Sequence, residues 1–418
     1  MIDSTLEYLY QLHNRGIKLG LENINKILHE CGEPHNEFKS IHLAGTNGKG
    51  STASIIAKIL QNAGLKVGLY TSPHLLNFNE RIRINGATIS NNEIINFTKK
   101  HRNFFEKHSI TFFEATTAMA FDYFRKNNVD IAVVETGLGG RLDSTNVLSP
   151  IHTIITEIDF DHTHLLGDSV EEITAEKCGI IKNSIPNTTI NTKNNIVDII
   201  EKFSKKQNTR TNYINKNNIN LIEHKTSSLH LKFKQKSYIL PQAGSFQAEN
   251  AVLAIETIKK EFENISDSQI QEGLDQWFWP GRMQQMKEDI FYDVAHNSSG
   301  ISVLSSDLFH VYNKKPIGLV VMKNDKIRPE IIDLFKDTFE ELIISTIQSK
   351  DILSEKDINS NKDLQNFQFI NSLYDALELI KNKKYDGPKV IFGSHYIAKH
   401  VYNSVSYTHL TLPTSTHV

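Results

Sequence analysis

Apolar positions in the first forty residues recur at three- and four-residue spacing: Leu6, Leu9, Tyr10 and Leu12, then Leu21, Ile24, Ile27 and Leu28. That period predicts amphipathic helices up to a break at Pro34. The period then changes. Ser40-Ile41-His42-Leu43-Ala44 is a short apolar run, read as a buried strand, and it leads into Gly45-Thr46-Asn47-Gly48-Lys49-Gly50-Ser51. Helical spacing resumes at Ile55, Ile56, Ile59 and Leu60 and stops at Gly64. Further strands are predicted at 66–70, ahead of Thr71-Ser72-Pro73-His74, at 130–134, ahead of Glu135-Thr136-Gly137, and at 153–156, near Asp159 and His162. Strands alternating with helices predict an α/β fold with a parallel, doubly wound, P-loop-type sheet. Polar residues cluster at the carboxyl ends of its strands, the edge at which such sheets bind ligands.

From Ile185 to Gln242 the chain is rich in Asn, Lys and Thr with short alternating runs such as 229–233, which read as peripheral sheet and loops. A helix is predicted from Ala248 to about Lys260. Trp277-Phe278-Trp279-Pro280-Gly281-Arg282 then combines aromatic anchors with a Pro-Gly break. Beyond it a second, smaller, Rossmann-like α/β alternation begins, with strands at 290–294, 317–321, 341–344 and 389–391 and helices after Gly300, near 327–335 and near 374–380. The expected division is an ATP-binding domain over 1–281, a second domain over 282–404, and a tail over 405–418. The tail, VSYTHLTLPTSTHV, continues no pattern; VSYTHLTLPT resembles the translated sequence of a transposase adapter, so it reads as non-native, with the native C-terminus missing, and a natural disordered tail is the alternative.

Composition narrows the class. The 418 residues carry 46 Lys+Arg against 48 Asp+Glu, a net charge of -2 that gives no global basis for binding nucleic acid or an anionic membrane. Cys31 and Cys178 are the only cysteines, too few for a disulfide framework or a cysteine-built zinc site. No apolar run approaches the roughly 20 residues that span a bilayer, and the start lacks a signal-peptide pattern, so a cytoplasmic protein is expected.

The candidate chemistry begins at the glycine-rich turn. Glycines let backbone N–H groups approach a phosphate, the helix N-terminus adds a positive dipole, and Lys49 can reach the β/γ oxygens. The strict G-x-x-x-x-G-K-[ST] form is not met, because Leu43 stands five residues before Gly48 and Gly50 separates Lys49 from Ser51. ATP binding is still the reading, with a tight turn as the bland alternative. A nucleoside triphosphate needs Mg²⁺, which prefers oxygen ligands. Ser72, Glu135 and His162 follow three strands of one predicted sheet and are the candidates, although alone each could be a turn residue, a surface acid or a loop histidine.

With these residues in hand the chain resembles folylpolyglutamate synthase/dihydrofolate synthase, of the Mur ligase superfamily. The resemblance rests on GTNGKGS at 45–51, TSPHL at 71–75, ERIRING at 80–86, ETGLGGRLDSTN at 135–146, DHTHLLGDS at 161–169, AEKCGIIK at 175–182, WPGRMQ at 279–284 and DVAHN at 293–297, in that order. It implies an ATP-dependent amide ligase in which ATP phosphorylates a pteroate or folate carboxylate and the amine of L-glutamate displaces phosphate. It further implies a nucleotide loop at Asn47, Gly48, Lys49, Gly50 and Ser51, and two Mg²⁺ ions held by Ser72, Glu135, His162 and a carbamylated Lys177. Nucleotide contacts are implied from Asn250, Arg282 and Asp293. The pterin substrate is expected along Thr111, Phe112, Phe113 and Glu114 and along Leu142, Asp143 and Ser144, with His296 and Ser394 on the glutamate side. Lys49, Lys177 and His162 are the expected catalytic residues, and a monomer is expected.

Departures from the family pattern are Val294 for a usual Gly, Cys178 for Ala, His164 for an acidic residue and His395 in a usually apolar segment. Dihydropteroate and reduced folates are both expected substrates, with polyglutamylation alone as the alternative. A P-loop kinase or general NTPase is the rival outside the ligases. A muramyl ligase is disfavoured because the phosphate loop begins at Gly45, leaving no room for an N-terminal UDP-binding domain.

Overall fold

A computed structural model describes residues 1–405 apart from Ile17 and Leu19. The chain forms two compact units. One comprises 1–220, 233–238 and 249–277; the other comprises 221–232, 239–248 and the chain from Phe278 on. The divide thus falls at Trp277/Phe278, beside the aromatic-Pro-Gly break, and two stretches before it group with the later unit. Val405 closes the last helix, Ala398–Val405, with its side chain 1% exposed. The rest of the expected tail, 406–418, lies outside the described residues.

The first unit is organised by an eight-stranded sheet of β1 (Lys39–Ala44), β2 (Val67–Tyr70), β3 (Ile82–Ile84), β4 (Ala87–Thr88), β5 (Ile131–Glu135), β6 (His152–Ile155), β7 (Asn187–Thr189) and β8 (Thr211–Tyr213). Their order is β4-β3-β2-β5-β1-β6-β7-β8. The run from β2 to β8 is parallel, and only β3 and β4 turn back as an antiparallel edge. The residues of β2, β5 and β6 are all buried, as expected of strands covered on both faces. One face packs Leu9, Leu12, Ile24 and Leu28 of the N-terminal helices with Phe105, Phe121 and Phe124. A second cluster joins Ala44 and Ile155 to Ile173, Ile180, Ile196 and Ile200. Each such fully buried Leu, Ile or Phe side chain contributes about 1.5–3 kcal/mol. Cys178 lies in this second cluster, fully buried, so its thiol is a packing group.

The segment read as peripheral sheet and loops is richer than expected. It holds the last two strands of the main sheet, β7 and the edge strand β8, and a helix, Asn194–Lys206. Ile196, Ile199, Ile200 and Phe203 mark that helix at amphipathic spacing, a signal masked by the Asn- and Lys-rich composition around it. The strands β9 (Ile219–His224), β10 (Leu229–Phe233) and β11 (Lys236–Leu240) make a separate three-stranded sheet.

The later unit is built on β12 (Gln284–Gln285), β13 (Ile290–Asp293), β14 (Ile317–Val320), β15 (Glu341–Ser345), β16 (Gln368–Ile370) and β17 (Lys389–Phe392), ordered β12-β13-β17-β14-β15-β16. All but β12 run parallel. Its core joins Phe291, Phe335, Phe339, Val390 and Phe392. Among the described residues no helix is long and apolar enough to cross a membrane.

Candidate active site

The central position of β1 sets the site. Leu43 lies level with Glu135 of β5 and with Ile154 of β6, so the segments leaving these parallel strands emerge side by side. The turn after β1 is strapped to the exit of β6: Thr46 and Asn47 donate their N–H groups to the Glu157 carbonyl at 2.7 and 3.2 Å, and Thr156 Oγ1 donates to the Asn47 carbonyl at 2.7 Å. Two glycines make the close approach possible. A Cβ on Gly45 would lie 1.8 Å from Thr156 Oγ1, and one on Gly48 would lie 2.2 Å from Asn250 Oδ1. Gly48 also has φ +85°, a left-handed conformation that disfavours a side chain, and the helix Lys49–Asn62 starts immediately after it. Gly48→Ala is therefore expected to displace Asn250, whose Oδ1 also accepts from Thr52 Oγ1 at 3.3 Å. The expected outcome is a KM for nucleotide raised about tenfold or more at a stability cost of about 1–3 kcal/mol, read by steady-state kinetics and thermal unfolding.

Lys49 curls back over the turn. Its Nζ donates to the carbonyls of Gly45 at 3.0 Å and Thr46 at 3.2 Å and stands 4.0 Å from Glu135 Oε1. The other Glu135 oxygen accepts the Ser72 N–H at 3.0 Å, so two strand ends, those of β2 and β5, share one carboxylate. Glu135 is only 5% exposed. From the helix Val170–Cys178, Lys177 reaches in and donates to the same Gly45 carbonyl at 2.8 Å. Its side chain is buried, and that burial, with the Lys49 charge beside it, pushes its amine down to about 7. His162, in a left-handed conformation ahead of a single helical turn, lines the same small concavity as Gly45, Lys49, Gly137, Asp161 and Lys177. The chain of contacts Ser72–Glu135–Lys49–Gly45–Lys177 thus brings together expected site residues from four segments.

Other expected residues have their polar atoms engaged in holding the loops. Asp143 accepts from the N–H groups of Gly137 and Leu138 on Oδ2, at 2.9 and 2.8 Å, and from the N–H and hydroxyl of Thr145 on Oδ1, at 2.9 and 2.5 Å. Burial raises its carboxyl above the usual range while these donors oppose the shift. The same Thr145 hydroxyl bonds His42 Nε2 at 2.8 Å, and burial pushes His42 down to about 3, so the ring is neutral. Ser144 begins a short 3₁₀ turn that Asp143 caps, and Leu142 lies in the turn before it. Thr111 and Glu114 form a capping box for the helix Phe112–Lys126, the Glu114 carboxylate accepting both the N–H and the hydroxyl of Thr111. Phe112 is buried in the core and stacks on His13, with ring centroids 4.0 Å apart. Phe113 lies against Gly137, where a Cβ would come within 2.4 Å of its ring.

In the later unit the expected residues gather at the carboxyl ends of β13 and β17, which pair in register at Asp293 and Phe392. Asp293 is buried and accepts the N–H groups of Met283 and Ala295, each at 2.6 Å. Its carboxyl is raised by burial and restrained by the Arg282 charge. Arg282 donates to the Gly281 carbonyl at 3.1 Å, and His296 Nδ1 donates to the Val294 carbonyl at 2.9 Å. Ser394 Oγ caps a short turn by accepting the Tyr396 N–H, and the Ser394 carbonyl accepts the Tyr292 hydroxyl at 3.0 Å.

Comparison with known proteins gives this arrangement a family. Residues 43–258 match the Mur ligase middle domain. The dihydrofolate synthase/folylpolyglutamate synthase of Bacillus subtilis is 32% identical over 396 residues, 89% of this chain and 92% of its own. The chain belongs to the dihydrofolate synthase/folylpolyglutamate synthase family. The folylpolyglutamate synthase of Lacticaseibacillus casei is 31% identical over 90% of this chain and 92% of its own. A folylpolyglutamate synthase solved with AMPPCP and folate superposes with a TM-score of 0.80 at 28% identity, covering 96% of this chain and 98% of that one. The matched Mur ligase segment takes in the glycine-rich loop at 45–51, Glu135, His162, Lys177 and Asn250. It also takes in residues of this family member that sequence reasoning missed. Thr156 and Glu157 fasten the glycine-rich loop, and Lys216 and Glu249 contact Glu157 directly or through each other. No local spacing announces these, because their partners lie far along the chain.

Proposed function

We propose that this chain is an ATP-dependent amide ligase that joins L-glutamate to dihydropteroate, to reduced folates, or to both, by way of an acyl phosphate. The observation that carries the reading is the convergence of Lys49, Lys177 and Glu135 on a glycine-built phosphate loop in a chain of this family. A carboxylate oxygen of the pterin substrate attacks the γ-phosphorus, ADP leaves, and a mixed anhydride forms. The glutamate amine then attacks the acyl carbon, phosphate leaves, and the amine proton passes to solvent or a nearby base. Lys49 and the N–H groups at the start of the helix Lys49–Asn62 hold the negative charge that builds up on the γ-phosphoryl group. The pterin carboxylate is assigned to the Asp143-anchored loop, whose Gly137 and Leu138 line the same concavity as Gly45 and Lys49, and to Phe113 against Gly137, and the nucleotide and glutamate to the Asp293–His296 and Ser394 strand ends. On this reading 1–281 supplies the ATP and pterin side and 282–404 the glutamate side, and the protein works as a cytoplasmic monomer.

The donor set fits Mg²⁺. Glu135 offers a buried, prepositioned carboxylate, with Ser72, His162 and a carbamylated Lys177 as further donors. Among the described residues no three His, Cys, Asp or Glu side chains gather to hold a metal ion, so phosphate oxygens and waters would complete its shell, as Mg²⁺ prefers. When bound, two such ions would neutralise the phosphate charge. Carbamylation of Lys177 fits its chemistry, since only the neutral amine adds CO₂ and its amine is pushed down to about 7.

Phosphate release measured with dihydropteroate or tetrahydrofolate, with and without L-glutamate, tests the proposal. Release is expected only when both the pterin and glutamate are present. Release independent of both would leave a kinase or NTPase as the better reading. Comparable identity to a bifunctional relative and to a folylpolyglutamate synthase keeps polyglutamylation alone as a second reading, favoured if tetrahydrofolate supports release and dihydropteroate does not.

A further inference from the structure

Beyond the groups that meet phosphate, the nucleotide loop is flanked by a charged cluster with no assigned task. Lys216 projects from the short turn after β8. Its Nζ lies 3.3 Å from Glu157 Oε1 and 2.6 Å from Glu249 Oε2, so a single ammonium bridges two carboxylates. These carboxylates belong to two segments that wall the loop, the exit of β6 and the helix Ser245–Glu261. Glu157 takes the N–H groups of Thr46 and Asn47 on its carbonyl and the Asn47 side-chain amide on Oε2 at 3.4 Å. Glu249 directly precedes Asn250, whose Oδ1 lies against Gly48 and accepts from Thr52. We propose that Lys216 is a positioning residue for the nucleotide loop, tying Glu157 to Glu249 and so fixing the two segments that meet the loop at Asn47 and at Gly48. The inference rests on the ligase reading only in supposing that a nucleotide occupies that loop.

The electrostatics explain why a cation is required there. Burial works against the charge of Lys216, yet Glu249 and Glu157 outweigh it and hold the ammonium above the ordinary lysine range. Burial raises the Glu249 carboxyl, Lys216 opposes that, and Glu157 adds to it. Without Lys216 two carboxylates would face each other beside a site for a polyanion. Their repulsion would spread the walls and oppose the phosphates, and removing one partner of a partly buried pair costs more than the pair is worth.

Lys216→Met is expected to weaken binding of AMPPCP and raise the KM for ATP, each about tenfold, with kcat within about twofold. Lys216→Arg, which can bridge the same carboxylates, is expected to restore both. The double variant Lys216→Met/Glu249→Gln is expected to recover only the part of the loss that comes from repulsion, because one of the two facing carboxylates is neutral while the tie is still absent. Calorimetric titration with AMPPCP keeps this separate from the ligase reading. A wild-type chain that binds AMPPCP yet forms no amide sinks the ligase reading alone, and the variants still decide the role of Lys216. Unchanged affinity in Lys216→Met overturns the proposal, as does a loss that the arginine and the double variant both fail to restore, or a wild-type chain that binds no nucleotide.

Discussion

Glu135→Ala is expected to lower ATP-dependent turnover by about a hundred- to a thousandfold while the protein stays folded. The carboxylate stands 4.0 Å from the Lys49 ammonium and accepts the Ser72 N–H, so its removal takes away a charge and leaves a backbone donor without that acceptor. The two effects can be separated. Glu135→Gln keeps an oxygen for the Ser72 N–H but carries no charge to hold a divalent cation or to balance Lys49. If the charge is what matters, the glutamine variant is expected to be nearly as inactive as the alanine variant, with a thermal midpoint close to that of the unaltered protein. If the residue only braces the ends of β2 and β5, glutamine should restore turnover, and the metal assignment would then be abandoned. Raising Mg²⁺ should partly recover the glutamine variant on the first account, because a weakened site can still be filled by mass action.

The glycine-rich turn after β1 and the place of Glu135 at the end of β5 could be read from sequence because each sits where a strong local pattern ends. A buried apolar strand followed by glycines, a lysine and a helical period leaves few alternatives, and a parallel sheet brings such strand ends to one edge. The residues at 111–114 carried a second local signal. Thr111 with Glu114 three residues on is a capping-box pattern, and the structure spends both side chains on that cap. Asp143 looks chemical in sequence, but four hydrogen bonds commit its carboxylate to the loop at 137–145. The helix Asn194–Lys206 was legible in its isoleucines and was obscured by surrounding composition. Lys216 was not legible at all. Its partners lie at Glu157 and Glu249, and ion pairs across such separations leave no period in the chain. The fold's periodic parts were therefore open to sequence reasoning, whereas the groups that brace the site from a distance were not.

Lys177→Ala is expected to abolish most turnover, and short-chain carboxylates such as acetate or propionate are expected to restore part of it. The lysine is buried and only 2.8 Å from the Gly45 carbonyl, with Lys49 donating to that same oxygen at 3.0 Å. Two ammonium groups on one carbonyl repel each other, which is part of why the Lys177 amine is pushed down to about 7. The sign of the pH dependence follows. Below about pH 7 the ammonium predominates and cannot add CO₂; above it the neutral amine predominates and can, so carbamylation should rise as the pH is raised through 7. In protein equilibrated with ¹³C-bicarbonate, a carbamate carbon signal is expected to grow between about pH 6 and 8 and to be absent from Lys177→Ala. A plain structural lysine predicts otherwise. Its alanine variant would lose the hydrogen bond to Gly45, no added carboxylate would replace a missing ammonium, and no ¹³C signal would depend on residue 177. Carboxylate rescue therefore separates the two roles, because a carboxylate can replace a carbamate's oxygens but cannot donate a hydrogen bond to Gly45.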